Sequence, residues 1–452
     1  MRRPRLLTAA MLGVASGTIL VPLNSTMLAV ALPDVMDTFT LGANEVSSLV
    51  TLYLGAVAVA LPVGGSIGDR FGHRRAFLVG VLAFAAASAL AAIATTFEVL
   101  EVSRVAQAAS GALISTSSAA LVRQTSPADQ QGAAFGLFDL LVATSAAVGP
   151  FVGGLLVGAF GWRSLFILAV PLGLFAALFV GLRVRPAADV HVSATRRAGV
   201  DIPGLLLLAA AIVAFLIALR GGPFQVVAAI AIVPLLAVFV AVELRTEHPA
   251  VDPRLVVHRP FAAALAGVFG STVILHGSFI LVPLAAEELL GATAAVSGAA
   301  LLGLAGVGAI VSPFGGRASD RRGRRALVVA GASVSAVGLA LLALPGATAS
   351  VVSIALLLAV VGFGNGLTSP RQAAALESVA RERVGMAAGT YYTGRYLGGV
   401  VGASLAGAIL GAQVTASGVS AGFALLAAVG VGVAIVSLGL PGRRQAEPVP
   451  FA

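Results

Sequence analysis

The stretch GGSIGDRFGHRRAF (64–77) packs Asp69, Arg70, Arg74 and Arg75 into seven residues between two long apolar runs. It decides the fold because it occurs twice. PVGGSIGDRFGHRR, starting at Pro62, is echoed by PFGGRASDRRGRR, starting at Pro313, so that Asp69 aligns with Asp320 and Gly72 with Gly323 at a shift of 251 residues. Self-similarity at a fixed offset marks an internal duplication. Charge of this density is excluded from a bilayer core, and the glycines permit a tight turn, so each copy reads as a short loop between two spans.

The flanking composition agrees. The chain is 58% hydrophobic and 10% charged over 452 residues, against about 25% charged in a soluble domain. Unbroken apolar runs of about 20 residues make spanning helices, whereas a closed barrel would show alternating segments of about ten. The sequence therefore reads as an all-α polytopic membrane protein. Apolar windows place helices near 8–32, 46–68, 76–95, 98–122, 132–158 and 163–182, before the polar linker RVRPAADVHVSATRRAG (183–199). Two further runs, 202–219 and 224–243, are separated by RGGP (220–223). After ELRTEHPAVDPRLVVHRP (243–260) come six more, near 261–285, 294–316, 326–344, 349–369, 385–411 and 418–440. The expected total is fourteen transmembrane helices. They divide into a six-helix bundle over 1–182, a linker over 183–200, two inserted helices over 201–244, a linker over 245–260, a second six-helix bundle over 261–440 and a tail over 441–452. The opening MRRPR and the apolar run after it read as a first span rather than a cleaved leader.

Charge asymmetry tests the count, because an error of one helix would invert every later loop. With the N-terminus inside, nearly all loop arginines fall inside and only Arg163 and Arg220 fall outside. The outer ends instead carry Asp34, Asp37, Glu45, Glu98, Glu287 and Glu288. Both termini are expected to be cytoplasmic, with the chain in the cytoplasmic (inner) membrane. The net charge of +9, carried by 28 arginines and no lysine, lies between spans and gives no reason to expect a nucleic-acid partner. Cysteine is absent, which excludes disulfides and thiolate metal sites. No H-E-x-x-H, P-loop or G-x-S-x-G occurs, and the few His and carboxylates lack metal-ligand spacing, so neither an enzyme nor a metal site is expected.

A set of motifs, taken in order, resembles the major facilitator superfamily, and within it the fourteen-helix drug:proton antiporter branch. The short-loop motif G-x-x-x-D-R-x-G-R-R is matched over 65–75, with His73 intervening, and again over 316–325. PLNSTMLAVALP (22–33) resembles the first-helix motif of the drug exporters, and RVAQAASGA (104–112) their fourth-helix motif. SAAVGPFVGG (145–154) resembles the fifth-helix antiporter motif, and GWRSLFILAVPLG (161–173) the start of the sixth helix. HPAVDPRLVVHRPF (248–261) resembles the segment after the extra helices, and GRYLGGVVGASLAG (394–407) the eleventh core helix. Two departures stand out: Asn24 replaces the usual first-helix acid, and Ser48 stands ahead of Tyr53 where the family has Trp before a Tyr.

The resemblance implies two six-helix bundles that alternate access to a midplane cavity, with no cofactor beyond the proton gradient. It implies export of drug-like or antibiotic compounds, lipophilic or cationic, by a monomer in contact with lipid and protons. It also implies that Gly65, Asp69, Arg70, Gly72 and Arg74, with Gly316, Asp320, Arg321, Gly323 and Arg325, gate the conformational change. Gly149, Pro150 and Gly153 join them, since small residues spaced by four let helices approach closely and proline favours a bend. Tight packing without motion would use the same residues.

Ionisable groups inside spans are expensive, about 2.5–3.5 kcal/mol each on the insertion scale, so each asks for a reason. Asp139 is the one clearly intramembrane carboxylate and the expected proton site; pairing with an arginine or capping a helix end is the competing reading. Arg104 resembles the family's fourth-helix proton-handling arginine, but helix rise puts it nearer the outside than Asp139. His276 titrates in a useful range or simply packs. Arg395 either holds an anionic group or bonds neighbouring backbone. Asn24, Tyr53, Gln107, Asn365, Tyr391 and Tyr392 are expected cavity contacts or ordinary packing. Asn24 also leaves open a facilitator of a metabolite, siderophore or lipid. A non-transporting sensor that kept the fold is the third alternative.

Overall fold

The computed structural model describes residues 9–125, 131–184, 201–220, 222–246, 249, 253–379, 384–411 and 413–442, and all regular structure among them is helical. The long helices are α1 (Ala9–Met27), α2 (Ser48–Phe71), α3 (His73–Ala92), α4 (Phe97–Thr125), α5 (Gln131–Phe160), α6 (Arg163–Arg183), α7 (Ile202–Arg220) and α8 (Gln225–Glu243). They continue with α9 (Arg259–Leu284), α10 (Ala294–Arg322), α11 (Arg324–Leu342), α12 (Val351–Leu367), α13 (Val384–Leu410) and α14 (Ala416–Ser437). Helices that are apolar on all sides are stable only where lipid or other helices cover them.

Among the described residues, twelve helical stretches are long and apolar enough to cross a membrane. This falls two short of the expected fourteen. The described side chains of α7 cover the apolar run Ile202–Ala218, and the apolar run of α13 is broken by the polar stretch TYYTGRY over 390–396. The first span also runs further than expected, over Leu12–Phe39 rather than ending at 32. A 3-10 turn at Leu28–Ala31 follows α1, Pro33 sits in the first turn of a new helix Leu32–Phe39, and Thr40 ends it in the left-handed region (φ 54°).

The duplicated loop folds the same way in both copies. Gly72 (φ 90°) links α2 to α3 and Gly323 (φ 85°) links α10 to α11, each as the single residue between two helices. Residues with a side chain rarely adopt these angles, so glycine lets the chain reverse within one residue. Arg74 then reaches the C-terminus of the last helix of its own set: Nε donates to the Val184 carbonyl at 2.6 Å and Nη2 to the Gly181 carbonyl at 2.7 Å. Its repeat mate Arg325 donates from Nε to the Leu440 carbonyl at 2.6 Å. Carbonyls at a helix C-terminus lack intrahelical donors, and a guanidinium supplies them.

Packing organises the helices into two sets joined unequally. Within the first set α3 packs on α4 and α6, α4 on α2, and α1 on α5 and α6; within the second α10 packs on α12, α9 on α13 and α14, and α11 on α12 and α14. The sets meet where α5 packs on α10 and α2 on α13. Helices α7 and α8 pair with each other, and α7 rests on α2 and α13. Its Leu208 and Ile212 form a small apolar cluster with Ala58.

Burial is fused at one end and divided at the other. At the end away from the duplicated loops, one apolar cluster takes residues from both sets, including Leu32, Val46, Leu49, Ile280, Leu284 and Ala406. At the arginine-rich end there are two. One holds Phe77, Phe84, Leu121 and Val180 of the first set, the other Phe261, Val328, Ala375 and Leu440 of the second. The helix sets are therefore closed against each other at the far end and separately packed at the arginine-rich end.

Small residues make the closed end possible. A Cβ on Gly154 would overlap the Ala294 carbonyl oxygen, and one on Gly298 the Pro150 carbonyl oxygen, so α5 and α10 touch main chain to main chain. A Cβ on Gly407 would come within 2.7 Å of Ser47 Cβ, and Asn44 N donates to the Gly411 carbonyl at 3.2 Å.

Candidate functional site

Seven residues into α4 from the closed end, the first set holds a neutral polar network around one cation. Arg104 of α4 is 1% exposed. Its Nη1 donates to Asn24 Oδ1 of α1 at 2.7 Å and to Gln107 Oε1 at 2.8 Å, and Gln107 Nε2 donates to Ser88 Oγ of α3 at 2.8 Å. The guanidinium carbon lies 4.1 Å from the centre of the Tyr53 ring on α2, within cation–π range. Four helices thus converge on one side chain. The expected residues Asn24, Tyr53, Arg104 and Gln107 are brought together, and Ser88, which carried no sequence signal, completes them. Arg104 Nε and the Tyr53 hydroxyl are buried without a hydrogen-bond partner.

The second set contributes a looser group. His276 Nδ1 lies 3.2 Å from the Thr272 carbonyl, its own preceding turn, and its ring packs edge-on against Phe279. Thr272 Oγ1 donates to the Arg395 carbonyl at 2.8 Å, fixing that backbone, while the Arg395 side chain is exposed. Tyr391 is buried and Tyr392 half-exposed, their rings perpendicular, and Gln372 Nε2 donates to the Tyr392 hydroxyl at 3.0 Å. Asn365 is half-buried at the end of α12, where its carbonyl accepts from Thr368 Oγ1 at 2.7 Å. The Arg104 group and the Tyr391, Tyr392 and Arg395 group therefore sit on opposite sets.

One further cation was placed by sequence in a loop and is buried instead. Arg371 is 2% exposed on a short helix Pro370–Glu377 that continues beyond α12. Its Nη1 donates to the Gly267 carbonyl at 2.6 Å and Ser271 Oγ at 2.9 Å, while Nε and Nη2 are buried without partners. A Cβ on Gly267 would come within 2.6 Å of Arg371 Nε, so glycine there makes the room. Pro370, which restarts a helix at the apparent end of the span, was the available signal.

The expected gating residues separate into distinct jobs. Gly72 and Gly323 make the turns, and Arg74 and Arg325 tie helix ends. Gly65 and Gly316 face open space, whereas their neighbours Gly64 and Gly315 make the close approaches, to Ala112 and Gly366. Arg70 is exposed, with its guanidinium carbon 5.5 Å from the Phe71 ring centre. Gly149 and Gly153 receive Thr26 and Met27 of α1 within their own set, and it is Gly154 with the Pro150 main chain that meets the other set. The side chains of Asp69, Asp139, Asp320 and Arg321 lie outside the described residues. Along the backbone, Asp139 is eight residues from the start of α5, about 12 Å from the arginine-rich end, while Arg104 is 21 residues from the end of α4, about 31 Å from it.

At the closed end, Glu287 lies within electrostatic reach of Asp34 and Asp37, so acids of both sets gather there. A shallow recess between α2, α7 and α13 is lined by Asn44, Ser47, Ser48, Thr51, Leu52, Leu216 and Ser404. Among the described residues no three His, Cys, Asp or Glu side chains cluster as a metal site would require.

Known proteins align with this arrangement. The family model for the Major Facilitator Superfamily matches residues 14–403 and 261–451. The MFS-type transporter YwoD of Bacillus subtilis is 31% identical over 411 residues, covering 89% of this chain and 90% of its own. The multidrug resistance protein Stp of Mycobacterium tuberculosis is 30% identical over 430 residues, 92% of this chain and 78% of its own. The tetracenomycin C resistance and export protein of Streptomyces glaucescens is 31% identical over 340 residues, 73% of this chain and 62% of its own. The crystal structure of a D-xylose-proton symporter superposes with a TM-score of 0.68 at 14% identity, covering 98% of this chain, a likeness of fold alone. With two helix sets closed at one end and a buried polar group within the first, the chain belongs to the major facilitator superfamily, a family of integral membrane transporters and not of enzymes.

Proposed function

We propose that the protein is a secondary active exporter of drug-like or antibiotic compounds, driven by proton antiport across the cytoplasmic membrane. In this reading the chain crosses the membrane fourteen times, as bundles 1–182 and 261–440 with an inserted pair over 201–244, and both termini are cytoplasmic. The carrying observation is the unequal joining of the helix sets: one shared apolar cluster at one end, two separate clusters at the end bearing the duplicated loops. Helix sets joined at one end and packed separately at the arginine-rich end, which we read as cytoplasmic, fit a state of an alternating-access cycle that receives cargo from inside. The names of Stp and of the tetracenomycin C exporter support efflux as the direction of work.

Asp139 is the proposed proton site. Collapsing the proton gradient should raise cellular accumulation of an exported dye, and Asp139→Asn should do the same without collapse. Unchanged accumulation in both arms refutes coupling through this residue.

Asn24 favours one second reading. The residue that faces Arg104 is neutral where the resembling exporters carry an acid, which suits a facilitator that moves cargo without protons. Proteoliposomes loaded with a pH indicator separate the two: antiport acidifies or alkalinises the lumen as cargo moves, facilitation does not.

A further inference from the structure

We propose that the cargo carries a negative charge, such as a carboxylate, phosphate, sulfonate or ionised phenol, and that Arg104 is its counter-ion. This rests on the transporter reading above and names the chemistry of its central site.

The case begins with what surrounds Arg104. Its contacts are the Asn24 and Gln107 amide oxygens and the face of Tyr53. Dipoles and a ring quadrupole orient a guanidinium but bring no net charge to it, and its Nε remains buried and unbonded. A buried cation is ordinarily neutralised by a carboxylate. Here the acids of its own helix and of the helices against it are all engaged or remote. Glu98 lies at the mouth of α4 and is exposed at the closed end. Glu101, one turn from Arg104, accepts from Ser48 Oγ. Asp69 ends α2, 16 residues from Tyr53, about 24 Å away along the helix. Asp139 lies about 19 Å nearer the arginine-rich end by helix rise.

The second set repeats the pattern. Arg371 is buried with Nε and Nη2 unbonded and with only a carbonyl and a hydroxyl on Nη1. Arg395 projects an exposed guanidinium from α13 between it and the midplane, eleven residues into the helix. The described basic side chains of the interior are Arg371, Arg395, His276 and Arg104. They succeed one another from the arginine-rich end toward the closed end; of the carboxylates, Asp139 stands on α5 about 12 Å from the arginine-rich end, and none of those named above bonds Arg104. Around Arg104, some 19 Å from Asp139 by helix rise, the fixed charge is positive, and inside low-dielectric walls it attracts the opposite charge and repels its own. The lipophilic part of the expected cargo fits the apolar walls; the cationic part does not fit this interior.

The test uses two xanthene dyes of matched ring system and opposite charge, anionic fluorescein and cationic rhodamine 6G, with full-length purified protein. Equilibrium dialysis should show saturable fluorescein binding at least about tenfold tighter than rhodamine 6G binding. Asn24→Asp places a carboxylate where Nη1 already bonds, so it should weaken fluorescein binding about tenfold or more while keeping or raising the melting temperature. A merely damaged fold would lower both. Arg104→Gln should abolish binding and Arg104→Lys retain part of it. Tighter binding of rhodamine 6G, no saturable fluorescein binding, or fluorescein binding untouched by Asn24→Asp overturns the proposal. Proteoliposome transport separates it from the exporter reading: rhodamine 6G moved without fluorescein binding leaves the exporter and removes the anion site, whereas Arg104-dependent fluorescein binding without any transport does the reverse.

Discussion

Arg74 and Arg325, 251 residues apart, perform the same bond: each donates from Nε at 2.6 Å to a carbonyl just past the last helix of its own six-helix set. The motif that looks like a chemical centre is, at this position, a tie between the third and sixth helices of each bundle. Hydrogen bonds from a charged donor are worth about 1.5–3 kcal/mol. Arg74→Ala and Arg325→Ala should therefore each lower the melting temperature of the purified protein. Lying in separate bundles, their effects should add. Mutants that melt like the parent but fail to transport would make these residues gates rather than ties.

The turn glycines and the helical glycines of the same motif should behave oppositely. Alanine at Gly72 or Gly323 must take a φ near 90° or 85°, a strain of about 1–3 kcal/mol. Alanine at Gly65 or Gly316 meets nothing within 4 Å and replaces a poor helix former, so stability should hold or rise by up to about 1 kcal/mol. Melting curves of the four single variants decide this. Equal losses at all four positions would contradict it.

Closure of the far end can be trapped. The chain has no cysteine of its own, so Ser47→Cys with Gly407→Cys introduces a single possible pair. Their Cβ positions lie 2.7 Å apart, and a small backbone shift reaches the roughly 3.8 Å that a disulfide prefers. Oxidation should stop transport and reduction restore it. A pair that oxidises without loss of transport would mean that this end never opens.

Bulk at the α5–α10 crossing should favour opening instead. Gly154→Val and Gly298→Val place side chains where main chain now meets main chain. Membrane insertion should survive while transport falls at least about tenfold, because close packing of small residues holds such crossings. Measured uptake into everted vesicles, normalised to protein in the membrane, reads this directly.

The architecture was legible because it is written in period and charge. The apolar runs located nearly every helix to within a few residues, and the repeat of Asp69 at Asp320 announced the two-part plan. What escaped was set by neighbours that a linear pattern does not hold. Arg371 looked like a loop residue until Pro370 restarted a helix and Gly267 opened a space for it. Gly153 and Gly154 are adjacent, yet one faces α1 and the other faces α10, because consecutive residues on a helix point about 100° apart. The Arg104 group was half visible: Asn24, Tyr53 and Gln107 were expected near the cavity, but Ser88 was one serine among many apolar neighbours. That Arg104 bonds amide oxygens rather than a carboxylate among the described residues shows only once the helices are assembled.

The ties at Val184 and Leu440 have a consequence for how the protein is made. Neither reaches across the midline, so the first six helices need no residue of the second half to close their last bond. Once the ribosome has passed residue 184, the leading bundle can be finished in the membrane while the rest is still being translated. What remains for the trailing half to supply is the shared apolar cluster at the closed end, where Leu32, Val46 and Leu49 meet Ile280, Leu284 and Ala406.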